Sequence, residues 1–155
     1  MPPARTTLQI TRDQILARDL RDVAYKPGTH RCVVVSGELD DPYSGLVVQY
    51  RRGSSPQAVQ VDHVFGLHAA WDRGAATWPQ QRRTDLANDP RNLLTTTATV
   101  NESKGDQTPR DWRPPDRSGW CTFAQHFADV ALGYDLAVTP ADVRALRTML
   151  ATCPH

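Results

Sequence analysis

Lysine is nearly missing from this chain of 155 residues: of 18 Lys+Arg, only Lys26 and Lys104 are Lys and the other 16 are Arg. Charge of one sign is also scarce, since 17 Asp+Glu leave a net charge of +1. Proteins that coat polyanions through bulk field carry a marked basic excess. A phosphate-bearing ligand must therefore be met by local clusters. A nucleotide-composition bias of the host accounts for the Arg excess, yet Arg also supplies the planar fork that grips phosphate at two points. Long apolar runs are absent. Stretches such as Cys32–Val35 fall far short of the roughly 18 residues that a membrane span requires, so no membrane association is expected. Met1–Ile10 shows no apolar core and no small-residue cleavage site of a secretory leader. The three Cys form no C-x-x-C pair, which excludes a zinc ribbon or a thioredoxin-like site.

What is there describes one domain of mixed polarity, with 39% hydrophobic residues and a mean hydropathy of −0.52. A chain of this length buries about two thirds of its unfolded surface and can hold a core without a metal or disulfide framework. Thr11-Arg-Asp-Gln14 reads as a capping box opening a helix to about Val23, with Ile15, Leu16, Leu20 and Val23 inward. Arg31–Ser36 and Leu46–Tyr50 read as an antiparallel strand pair joined by the turn-rich Gly37–Gly45. Ala58–Val64 is a third strand. Leu67–Leu86 reads as helix, loop and helix, Asn92–Thr97 as a short strand, and Thr97–Lys104 as a helix that Gly105 stops.

Trp120, Phe123, Ala124, Phe127, Val130 and Ala131 recur at helical spacing, and Thr139-Pro140-Ala141-Asp142 caps a following helix with Val143, Leu146, Met149 and Leu150 on one face. The short link makes these antiparallel neighbours. Each arm is about 20 Å long at the helical rise per residue, so Cys121 and Cys153 fall at the same end. A disulfide between them and two reduced thiols in a reducing compartment are both compatible with that placement.

Three segments carry the chemistry: Val61-Asp62-His63-Val64, Asn88-Asp-Pro-Arg-Asn92-Leu93, and Asn101-Glu-Ser-Lys104-Gly105-Asp106. Together they resemble the His-Asn-His (HNH) endonuclease superfamily with its ββα-metal core. More narrowly, they resemble the family of the C-terminal nuclease domain of GmrSD-type modification-dependent restriction enzymes and its small secreted bacterial relatives. Ser36–Gly45, Ala70–Ala75 and Met149–Cys153 are also similar to that family. The resemblance implies an α+β fold in which a ββα-metal core gains an antiparallel strand pair, an N-terminal helix and a C-terminal helical hairpin. Residues 1–10 would be a tail and 11–153 a single HNH-type nuclease domain.

Phosphodiester hydrolysis needs a nucleophile drawn from water, charge neutralisation on the phosphoryl oxygens, and a positioned leaving group. An imidazole titrating near its ordinary value of about 6.5 accepts a proton from water at neutral pH, so His63 is assigned as general base. Asp62 and Asn101 offer the hard oxygen donors that Mg²⁺ or Mn²⁺ prefers. The resemblance places Asn92 at the middle Asn that fixes a loop by side-chain to backbone bonds. Lys104, one turn after Asn101, is either a phosphate contact or a solvated helix end. Neighbouring strand residues face opposite ways, so Asp62 and His63 approach a substrate from two sides of β-structure.

Arg51, Arg52, Arg82, Arg83, Arg110 and Arg113 are candidate contacts to nucleic acid, DNA first and RNA as the alternative. His68 is a weak candidate for a third ligand, while His30, His126 and His155 take packing or surface roles. Trp71, Trp78, Trp112 and Trp120 are expected in core and loop packing, with Trp112 flanked by Arg110 and Arg113. Asp40 and Asp41 read as turn residues and Asp106 as a cap orienting Lys104. The competing reading is a nucleic-acid-binding module that keeps the fold without catalysis; an immunity or packaging partner is left open. Secreted relatives carry a Cys near Gln9–Arg12 that pairs with the Cys32 position, and none stands there. That favours a cytoplasmic or phage-related protein, the alternative being a secreted one if a leader was removed.

Overall fold

The computed structural model describes residues 7–54 and 58–155, with side chains described from Arg12 onward. Six α-helices and two small antiparallel sheets make an α+β architecture among the described residues. The first sheet has the order β1 (Leu20–Tyr25), β2 (Val34–Asp40), β3 (Val47–Arg51), and the second pairs β4 (Val59–His63) with β5 (Leu93–Thr97). Helix α1 (Thr7–Asp19) leads into β1; α2 (Leu67–Asp72) and α3 (Gln80–Asn88) lie between β4 and β5. Helix α4 (Ala98–Lys104) follows β5 directly, and α5 (Trp120–Tyr134) and α6 (Pro140–Leu150) close the chain.

The expected strand pair is a three-stranded sheet. Leu20 and Val23, expected on a helix, belong to β1, where Leu20 pairs with Leu39 and Arg21 with Glu38. The Arg21 guanidinium bridges Glu38 and Asp40 across that ladder, at 2.7 Å to Asp40 Oδ2. Pairing with β2, distant in sequence, overrides the helical periodicity of residues 15–23. Helix α1 begins at Thr7, so Thr11 lies inside it rather than capping it, and the expected tail of residues 1–10 is helical from Thr7; residues 1–6 lie outside the described residues. Asp19, at the end of α1, accepts from Thr95 N at 2.9 Å and so docks the helix on β5.

Two buried clusters hold these layers. Leu16, Leu20, Val34, Leu39, Tyr50 and Val59 fill the space between α1 and the sheets. The larger cluster centres on Phe65, Phe123 and Phe127, with Phe65 stacked on Phe127 at 4.3 Å between centroids. The helical hairpin forms as its capping signals predict: Thr139 and Asp142 make a reciprocal capping box, and Cys121 and Cys153 are joined in a disulfide. Helix α5 runs past Gly133 to Tyr134 and stops where Asp135 takes a left-handed conformation at φ 54°.

The turn between β2 and β3 plugs into the larger core. Asp41, 2% exposed, accepts from Tyr43 N at 3.1 Å, Ser44 Oγ at 2.6 Å, Thr96 Oγ1 at 2.7 Å and Thr97 Oγ1 at 3.2 Å. One carboxylate thus ties the turn to β5. Gly119 permits the start of α5 to press on this turn, because a Cβ there would lie 2.1 Å from Pro42 O. The result is a fully buried Tyr43, edge-on to Trp112 at 5.3 Å and to Phe123 at 5.8 Å.

Candidate active site

The site is built where β4 ends and α4 packs beside it. Alternation along β4 places Gln60 and Asp62 on the side of α4, and each meets a side chain of that helix: Asn101 Nδ2 donates to Gln60 Oε1 at 2.8 Å, and Lys104 Nζ donates to Asp62 Oδ1 at 3.1 Å. The spacings agree because Asn101 and Lys104 are one turn apart on the helix and Gln60 and Asp62 two residues apart on the strand. Thr97 caps α4 by accepting from Val100 N, so the helix starts at the last residue of β5 and its orientation is set by the sheet.

Asp62 is 4% exposed and carries two donors, Lys104 on Oδ1 and the Tyr43 hydroxyl on Oδ2 at 3.0 Å. Burial pushes the Asp62 carboxyl above the usual carboxylate range and outweighs the Lys104 ammonium, which pulls the other way. Burial, then the charge of Asp62, pushes the Tyr43 phenol well above its ordinary value, so it remains a donor. Lys104 is fully buried; its ammonium donates to Asp62, to His63 O at 2.9 Å and to Gly105 O at 3.4 Å. It is neither solvated nor turned outward toward a substrate, contrary to both sequence-based expectations. One cation instead fixes the Asp62 carboxylate and the adjacent backbone of His63.

His63 faces away from Asp62, as strand alternation predicts. Its Nε2 lies 2.9 Å from Ala87 O at the end of α3. A carbonyl oxygen only accepts, so Nε2 carries the proton and Nδ1 of the neutral ring keeps its lone pair. Asn92 is fully buried; its Oδ1 accepts from Phe65 N at 2.7 Å and its Nδ2 donates to Phe65 O at 3.1 Å. Together with Val64 N donating to Asn92 O at 2.9 Å, these bonds hold the backbone that leaves His63. Asn92 therefore acts on the geometry of this loop.

Among the described residues no group of three or more His, Cys, Asp or Glu gathers to hold a metal. Asp62 and Asn101 offer a carboxylate and an amide oxygen, the donor types a hard divalent cation takes, but both Asp62 oxygens are already engaged, by Lys104 and by Tyr43. His68 stands apart, exposed on α2 with Asp72 at 3.6 Å. His126 Nδ1 lies 2.9 Å from Arg91 O, a packing role.

The six arginines divide. Arg52 donates to Val34 O at 2.7 Å and to Asp13, Arg82 to Tyr134 O at 2.7 Å, and Arg83 to Ala75 O at 3.2 Å and to Trp78 O. These three clamp the fold. Arg51 is exposed at the end of β3, Arg110 is exposed beside Asp111, and Arg113 lies 4.9 Å over the Trp120 ring. Sequence reasoning missed Tyr43 and Asp41 as supports of Asp62; the signal was the run Asp41-Pro-Tyr-Ser-Gly45, which reads as a turn until its burial is seen.

Residues 10–131 match the family model described as GmrSD restriction endonucleases, C-terminal domain. A protein of Arthroderma benhamiae named "Uncharacterized secreted protein" is 39% identical over 145 residues, covering 92% of this chain and 67% of that protein.

Proposed function

Because the chain belongs to the family of the GmrSD restriction endonuclease C-terminal domain, a nuclease-related family, we propose that it is a metal-dependent nuclease that hydrolyses phosphodiester bonds of DNA on a ββα-metal core formed by β4, β5 and α4. The observation that carries this reading is the His63 hydrogen bond to Ala87 O, which orients the imidazole with Nδ1 as its base. His63 Nδ1 takes a proton from water as the new oxygen–phosphorus bond forms, while the bond to the leaving 3′ oxygen breaks on the opposite side and that oxygen takes a proton from solvent water. The products are a 5′-phosphate and a 3′-hydroxyl. Asp62 and Asn101 would hold a divalent cation, Mg²⁺ or Mn²⁺, once the Lys104 contact to Asp62 gives way, and that cation would supply charge neutralisation at the phosphoryl oxygens. Lys104 and Tyr43 orient Asp62, Asn92 holds the loop after His63, and Arg51, Arg110 and Arg113 are the candidate phosphate contacts.

Cleavage of plasmid DNA with Mg²⁺ or Mn²⁺ is the test. His63→Ala should lower the rate at least a hundredfold, as loss of a general base does, with melting temperature unchanged; a folded variant that cuts at the wild-type rate removes His63 from the role. The occupation of both Asp62 oxygens by Lys104 and Tyr43 favours a second reading, a nucleic-acid-binding module without catalysis. On that reading a chelator leaves DNA binding untouched and no cleavage is seen with either metal.

A further inference from the structure

Three of the four tryptophans, Trp78, Trp112 and Trp120, pack against the main core, whereas Trp71 on α2 leaves 49% of its surface in solvent. One turn earlier Leu67 is 40% exposed, so the two residues form one outward apolar stripe. An exposed large aromatic is the informative exception to burial. The ring has a rigid mount, since α2 buries Ala69 and Ala70 on its other side. The Arg83 guanidinium carbon lies 5.3 Å from the Trp71 ring centroid, and that guanidinium is itself pinned by Ala75 O at 3.2 Å and by Trp78 O. A fixed positive charge therefore backs the ring. Arg83 precedes Ala87 by four residues and shares its face of α3, about 6 Å along the axis. Ala87 O is the acceptor that holds His63. The exposed indole and the imidazole are thus each tied to α3, through Arg83 and through Ala87 O, and the neighbouring Asp72 carboxylate is paired with His68.

We propose that Trp71 is a stacking platform for an unpaired nucleobase of the single-stranded DNA on which His63 acts, with Arg83 holding the indole in place. This rests on the nuclease reading above. Every base presents a π-face, so such a platform favours single-stranded stretches without reading sequence, and bases stacked inside a duplex are not available to it.

The experiment compares two short DNA single strands of equal length, one ordinary and one built of abasic residues. Binding is measured with chelator present and cleavage with Mg²⁺, for wild type, Trp71→Ala and Trp71→Phe. Trp71→Ala should weaken binding of the ordinary strand about tenfold, as loss of one base–aromatic stack does, and leave the abasic strand unchanged, while Trp71→Phe retains most of the affinity. An equal loss on both strands, or no loss on either, overturns the platform while leaving the nuclease reading intact. A wild type that cuts plasmid DNA but neither binds nor cuts either single strand overturns the platform alone, and one that cuts neither plasmid nor single strand overturns the nuclease reading and the platform with it.

Discussion

Replacing Lys104 by Met keeps the length of the side chain and removes only the ammonium. In the wild type that ammonium is fully buried and satisfied by Asp62 Oδ1 at 3.1 Å, His63 O at 2.9 Å and Gly105 O at 3.4 Å. Its loss leaves the Asp62 carboxylate with the Tyr43 hydroxyl as its remaining donor and strips a donor from the His63 carbonyl. Breaking a buried ion pair from one side costs about 3–5 kcal/mol. For a chain of this size that lowers the melting temperature by roughly 10 °C. Because the Asp62 carboxyl is already raised by burial, protonation relieves the unpaired charge, so the loss should be larger near neutral pH than near pH ~5. Calorimetry of Lys104→Met, Asp62→Asn and the double variant at both pH values reads this directly. The double variant should recover part of the loss, since neither charge is then left alone. A Lys104→Met protein that melts within a degree or two of wild type at neutral pH, or strictly additive single-variant losses, would refute the claim that this pair is a buried, coupled ion pair.

Two further outcomes follow from the fold. Asp142 is fully buried; burial pushes its carboxyl up, but hydrogen bonds from Thr108, Arg73 and Thr139 outweigh that and hold it at about 2, while the Arg91 hydrogen bond holds Asp89 at about 2. Both folded values lie below the usual carboxylate range near ~3.9, so their stabilisation is complete above that range and is lost as pH falls toward about 2. An acid titration followed by circular dichroism should show this loss, and Asp142→Asn, less stable at neutral pH, should lose less of its remaining stability over the same interval; parallel curves would contradict it. Reducing the Cys121–Cys153 disulfide, which spans 32 residues, should cost about 3–4 kcal/mol by loop-closure entropy. Denaturant melts with and without reductant measure that cost, and coincident midpoints would show that the link adds no stability.

The local signals in the sequence were sufficient for most elements of the lower half of the chain. Thr139, Pro140 and Asp142 define the start of α6 whatever surrounds them, and the helical spacing from Phe123 to Ala131 selects a buried face of α5 without reference to any partner. The family resemblance carried by Asp62, His63, Asn92 and Asn101 was likewise legible, because it depends on residue type and spacing alone. Strand alternation placed Asp62 and His63 on opposite sides, as observed. The N-terminal third was less legible, since Leu20 and Val23 continue the helical spacing of Ile15 and Leu16 and belong to a strand only when β2 offers its edge.

What tertiary structure alone decided are the contacts between residues far apart in the chain. Lys104 meets Asp62 across 42 residues and Tyr43 meets it across 19, and both contacts exist because the Asp41 carboxylate fastens the turn to β5 while α4 starts directly from that strand. The same holds for arginines pinned on backbone carbonyls and for Trp71 left outside while its three counterparts pack inward. Residue type and local periodicity specify which chemistry a chain can bring to a site. Which side chain satisfies a buried charge, and which stays in water, depends on three-dimensional neighbours that no local spacing encodes.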